Sequence, residues 1–234
     1  MRLMKSTLVL IGGGEIGRGE TFPIDKKIVS LVRRGNPHVL FIGAASDDVP
    51  SYLEAVRRMY SSFWAETLPF DLAENRPDKE EMMSAISWAD VIYLGGGDTR
   101  KLIKALDESG FSSLLIKAMD VREDLVVAGL SAGASYWFKE SYADCDIMEG
   151  KSDKMVFLPC SGYLPFIFTP HAEQADRKGF DKELKDREFG EAYAISGNAA
   201  LIITSKGNVA FKGSPTSFVN HYSKIGHSIT KKSL

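Results

Sequence analysis

Residues 126–137 read VVAGLSAGASYW. An apolar, β-branched run enters Gly-Leu-Ser-Ala-Gly and leaves into small residues compatible with a helix. A nearly continuous apolar run of this kind is a strand covered on both faces, as in a parallel sheet. Three similar runs precede it: TLVLIG at 7–12, HVLFIGA at 38–44 and DVIYLG at 90–95. Between the runs lie segments with helical spacing, at 24–34, 50–62, 77–88 and 98–107. The 77–88 segment opens with Pro and acids, which suit a first helical turn. Asp98 stands where an N-cap would accept from the amides of the helix it starts. Strand alternating with helix implies an α/β fold with a mainly parallel sheet. Such sheets place functional loops at the carboxyl ends of their strands. Three Gly-rich turns occur there: IGGGEIG, LGGGDTR and GLSAGAS.

The rhythm changes after residue 140. SYADCDIMEGKSDK reads as a long, partly acidic loop, and VFLPCSGYLPFIFTPH as short apolar runs broken by Pro and Gly. Residues 174–188 are strongly charged and read as a solvated helix. The stretch AYAISGNAALIITSKGNVAFKG reads as strands with a tight turn at KGN, and the KKSL end as a solvated tail. No long linker or repeat divides the 234 residues, so one domain over 1–234 is expected, β-rich toward its end.

Composition excludes several classes. The formal charge is −2 and the pI about 6.1, so there is no basic field for nucleic acid. No run reaches the ~18 apolar residues of a membrane span. The start MRLMKSTLVLIGGG ends its apolar run in glycines and reads as a first strand, not a signal peptide. Cys145 and Cys160 form no metal-ligand spacing and no disulfide framework, which fits a reducing, cytoplasmic setting. A small molecule, in a monomer or homodimer, is the expected partner. No metal or cofactor is expected.

The IGGGEIG turn contains G-x-G-x-x-G at Gly12, Gly14 and Gly17. A dinucleotide site needs an acid at the end of the second strand and a helix opening inside the glycines. HVLFIGAAS ends in small residues, and GRGETFP reads as an extended loop. A tight turn against other loops fits better. LGGGDTR offers backbone N–H groups of Gly95, Gly96 and Gly97 beside a helix N-terminus, suited to an oxyanion or phosphate. GLSAGAS is G-x-S-x-G: the glycines permit a cramped turn that exposes Ser131 and aims the Ala132 N–H at an attacked carbonyl. Ser131 needs a base. Of four histidines, His38 starts a strand at the far end, and His221 and His227 lie in the polar tail. His171, after the apolar run IFTP, is the candidate by elimination. Asp144, Asp146, Glu149 and Glu173 are open candidates for the carboxylate that would orient it.

Taken together, LGGGDT, GLSAGASYWF and the later TPH resemble the peptidase E/cyanophycinase family of serine peptidases, over about residues 6–212. That resemblance implies a flavodoxin-like three-layer α/β fold related to class I glutamine amidotransferases, with Ser in place of their Cys. It implies Ser131 as nucleophile, His171 as base, and the N–H groups of Gly97 and Ala132 as oxyanion hole. By the family's spacing of thirteen positions it implies Asp144 as the third member. Cyanophycin-cleaving relatives would point to Glu149, and where dipeptidase relatives carry a further acid this chain has Ser196. The dipeptidase branch prefers aspartate at P1, held by an arginine. Arg177 falls near that place, with Lys178 as a substitute, and Gly96 and Asp98 would border the substrate. The implied activity is hydrolysis of short peptides through an acyl-enzyme. A cyanophycinase-like isopeptidase on the same fold is the alternative, ahead of a non-catalytic or nucleotide-binding protein.

Overall fold

The computed structural model describes residues 4–234. Strands β1 (Thr7–Ile11), β2 (His38–Ile42), β3 (Glu66–Pro69), β4 (Val91–Leu94) and β5 (Val126–Leu130) lie parallel in one sheet. Helices α1 (Phe22–Leu31), α2 (Pro50–Ser61), α3 (Lys79–Trp88), α4 (Thr99–Glu108) and α5 (Phe111–Val121) connect them. The one-turn helices α6 (Ala132–Ser135), α7 (Cys145–Met148) and α8 (Phe180–Glu183) lie further along. Strands β6 (Phe138–Ala143), β7 (Val156–Pro159), β8 (Leu164–Thr169), β9 (Glu191–Ile195), β12 (Val219–Ile225) and β13 (Ser228–Ser233) form a second sheet. Strands β10 (Ala199–Thr204) and β11 (Gly207–Lys212) return to the first, which runs β11-β10-β1-β5-β4-β2-β3.

The first sheet is the middle of three layers. Alternate residues of each strand point to opposite faces. Leu8, Leu10, Leu40, Ile42 and Val127 pack with Leu102, Leu106, Leu115 and Met119 of α4 and α5. Val9, Ile11, Val39 and Phe41 pack on the other face with Ile24, Ile28, Val56 and Tyr60 of α1 and α2. Burial on both faces explains why these strands carry no polar alternation. Asp78 and Glu81 form a reciprocal capping box that starts α3, a device worth about 1 kcal/mol.

The register aligns the functional ends. Ile11 pairs with Leu130, and Leu94 with Gly129, so the three glycine turns sit side by side at one edge of the sheet.

The second half departs from its sequence reading. The segment after Ser131 makes one helical turn and then becomes β6, because Phe138 stacks on Phe168 of β8 with ring centroids 4.3 Å apart. Residues 174–188 form α8 between two 3-10 turns rather than one helix. Phe180 and Leu184 bury there against Tyr142, Ile167 and Tyr222, so that segment also covers the second sheet. The KKSL end is exposed as expected but is also part of the edge strand β13, hydrogen-bonded to β12, and Leu234 donates to the Val219 carbonyl. His221 lies in β12 and His227 in the turn that follows it. Among the described residues no helix is long and apolar enough to cross a membrane.

Candidate active site

Ser131 follows β5 with φ 52° and ψ −103°, a conformation that costs a non-glycine residue about 1–3 kcal/mol. Its surroundings fix it there. The Ser131 N–H donates to the Ile11 carbonyl at 2.9 Å, and its own carbonyl accepts from Ala134 and Ser135. A Cβ on Gly133 would lie 2.1 Å from the Leu94 carbonyl oxygen, so the tight approach of α6 to β4 requires glycine. The result is a side chain lifted off the end of the sheet.

His171 comes from the other sheet, two residues after β8. It too has positive φ, 49°, and its N–H donates to the Gly12 carbonyl at 2.8 Å. Its Nε2 lies 2.9 Å from Ser131 Oγ. A Cβ on Gly13 would stand 2.4 Å from Nδ1 and Cε1 of the imidazole. The ring therefore lies flat on the bare backbone of the first glycine turn. This is the use of IGGGEIG: a seat for the histidine. A single 3-10 turn, Ile16–Arg18, opens at the end of that glycine run and α1 follows at Phe22, so GRGETFP is turn and helix start rather than the expected extended loop.

Ser131 and His171 line a cavity of about 440 Å³ with Gly14, Glu15, Tyr52, Gly96 and Gly97. Gly97 adopts φ 137°, with its α-carbon pressed on the Ala45 carbonyl. Among the described residues, the Gly97 and Ala132 N–H groups donate to no protein acceptor. Gly96 differs, because its N–H donates to the Tyr52 hydroxyl at 2.9 Å. Burial pushes the His171 pKa below the ordinary imidazole value, and the Arg177 charge pushes it further, opposed by Glu173, Asp144 and Asp176. The imidazole is thus held neutral and ready to accept a proton.

Other expected residues lie elsewhere. Asp144 pairs with Arg177, Oδ2 to Nη2 at 2.9 Å, rather than with His171. Asp146 and Glu149 both pair with Arg100, at 2.6 and 2.9 Å. Glu173 accepts the Gly197 N–H at 2.8 Å. Among the described residues none of the four carboxylates hydrogen-bonds His171. The Arg177 side chain is 1% exposed and donates to the Tyr142 carbonyl at 2.7 Å. It therefore ties the segment after His171 to the end of β6 and does not line the Ser131 cavity. Asp98 is 4% exposed, and its carboxylate caps α4 by accepting from Arg100 and Lys101, so it has no face toward a substrate. Lys178 lines a separate hollow beside Arg177. Gly13 and Tyr52 were not singled out by sequence. The run of glycines signalled a close approach, but nothing in PSYLE signalled a cavity residue.

Among the described residues no group of three His, Cys, Asp or Glu side chains could hold a metal ion, and both cysteines are free thiols.

Fold and site together define an α/β protein that lifts a serine from a strand-to-helix turn against a histidine from a neighbouring sheet. The chain belongs to peptidase family S51, whose profile matches residues 8–209. It is 30% identical over 201 residues to the uncharacterized peptidase YgaJ of Bacillus subtilis (strain 168), covering 85% of this chain and 83% of that protein. Peptidase E of Streptomyces coelicolor (strain ATCC BAA-471 / A3(2) / M145) is 31% identical over 115 residues, 47% of this chain and 44% of that one. The crystal structure of a peptidase from an acI-B1 Actinobacterium shares the fold, with TM-score 0.68 at 18% identity over 99% of this chain and 97% of that one.

Proposed function

We propose that this chain is a serine peptidase acting on short peptides, with Ser131 as nucleophile and His171 as base. The observation that carries this is the 2.9 Å contact between Ser131 Oγ and His171 Nε2 inside a cavity edged by two free amides. His171 Nε2 takes the Oγ proton as Oγ attacks the peptide carbonyl carbon. The carbonyl electron pair moves to oxygen, which the N–H groups of Gly97 and Ala132 stabilise. The C–N bond then breaks, and the imidazolium returns its proton to the leaving amine. Water, deprotonated by the same imidazole, attacks the acyl-enzyme, releases the acid and restores Ser131.

The orienting carboxylate acts at a distance in this scheme. Glu173 and Asp144 favour the imidazolium through their charge, without a hydrogen bond to Nδ1. Substrate choice follows from the lining. Among the described residues the cavity presents Glu15 and no lysine or arginine, so nothing there grips an aspartate at P1. Neutral or basic residues suit it better.

A fluorophosphonate probe with peptide mapping tests the chemistry. Label on Ser131, lost in Ser131→Ala and His171→Ala, is the expected result. Absence of both label and cleavage across a dipeptide panel would sink the proposal. Within that panel, faster turnover of Asp-Xaa than of Ala-Xaa and Lys-Xaa would overturn the substrate assignment alone.

A further inference from the structure

Tyr52 projects from the first turn of α2 into the cavity that holds Ser131. Its ring packs edge-on against Phe41, with centroids 5.1 Å apart. A Cβ on Gly95 would come within 3.0 Å of its Cε1, so glycine there makes room for the ring. The hydroxyl oxygen accepts the Gly96 N–H at 2.9 Å. Its own proton has no acceptor among the described residues. Gly96 is in turn beside the nucleophile: a Cβ on it would lie 3.6 Å from Ser131 Cβ.

A phenol that accepts one hydrogen bond is polarised into a better donor. The Gly96 amide, captured by the tyrosine, cannot serve a substrate directly. The hydroxyl takes its place at the cavity wall, one residue from the free N–H of Gly97. Burial keeps the phenol protonated far above neutral pH, so the donor is present throughout the working range.

We propose that Tyr52 is a further catalytic residue, its O–H donating to the oxyanion beside the amides of Gly97 and Ala132. This rests on the serine peptidase assignment above.

Tyr52→Phe keeps the ring and removes the donor. Kinetics on a cleaved dipeptide, inhibition by a peptide aldehyde that forms a tetrahedral adduct, and thermal melting are compared with wild type. The expected result is a kcat lower by about 10- to 100-fold with KM and melting temperature held, and aldehyde affinity weakened by a similar factor. Gly95→Ala keeps the tyrosine but pushes its ring, and the hydroxyl with it, away from the oxyanion position, and kcat is expected to fall in the same direction. Wild-type turnover with kcat and aldehyde affinity unchanged in Tyr52→Phe would overturn the inference alone. A wild type without label or turnover would overturn the peptidase assignment and this role with it.

Discussion

Two runs of three glycines stand at the ends of β1 and β4, and they do different work. In the first run, at Gly13, the missing side chain receives another side chain: the imidazole of His171 rests where a Gly13 Cβ would be. At Gly95–Gly97 the missing side chain of Gly97 receives backbone, the Ala45 carbonyl, and the turn needs φ 137°. One turn seats His171, and the other leaves the Gly97 amide free at the cavity. The same tripeptide after the same kind of strand has no role of its own. What packs against the absent Cβ decides it.

Substitutions that restore a Cβ separate the two. Gly13→Ala should be the most damaging to activity, with kcat/KM down about 10³-fold, because it drives the base off its seat. Its melting temperature should change little, since an imidazole can swing away. Steady-state kinetics beside a melting curve would check this, and retained activity would show that the ring is held by something else. Gly97→Ala should reverse the emphasis. A Cβ 2.2 Å from the Ala45 carbonyl oxygen, on a backbone that disfavours it, should cost about 2–4 kcal/mol in urea unfolding. The kcat/KM should fall by about 10²-fold as the amide turns away.

A smaller effect concerns the charge behind the first turn. In the proposed mechanism the neutral imidazole is the base, and its pKa is held below the ordinary value by burial and then Arg177. The acid limb of kcat/KM should therefore lie below pH ~6.5. Arg177→Gln removes a positive charge that disfavours the imidazolium, so the pKa rises and the limb moves to higher pH. Arg177→Lys keeps the charge and should leave the limb in place; equal shifts in both would assign the effect to packing. Gly96→Ala should be mildest, within about threefold of wild type, since its Cβ would make only ordinary contacts of 3.4 and 3.6 Å.

The four inner parallel strands of the first sheet were readable because they are buried on both faces and alternate with helices, whereas the half-exposed edge strand β3 gave no such run. Strands at 7–12, 38–44, 90–95 and 125–130 fall where periodicity put them, within a residue or two. The second sheet was not readable as a sheet. Pro159 and Gly162 fall between or at the ends of its strands, Pro165 lies within β8, and parallel is mixed with antiparallel pairing, so no single periodicity marks it. Ser131 and His171 were legible from motif and elimination, and they meet. Asp144 and Arg177 were placed by family spacing, which carries no information on orientation. Instead the half-exposed Asp144 carboxylate pairs with the buried Arg177, where a guanidinium needs a carboxylate. Tyr52 could not be found, because its role depends on a turn 44 residues away.

Ser131 is carried by one sheet and His171 by the other, and a single 2.9 Å contact joins them. The Ser131–His171 pair is thereby a gauge of how the sheets are seated on each other. A slip of an ångström between them, too small to expose the core or alter helix content, would break proton transfer. Activity should vanish at lower denaturant than circular dichroism does, making turnover the most sensitive reporter of native packing in this molecule.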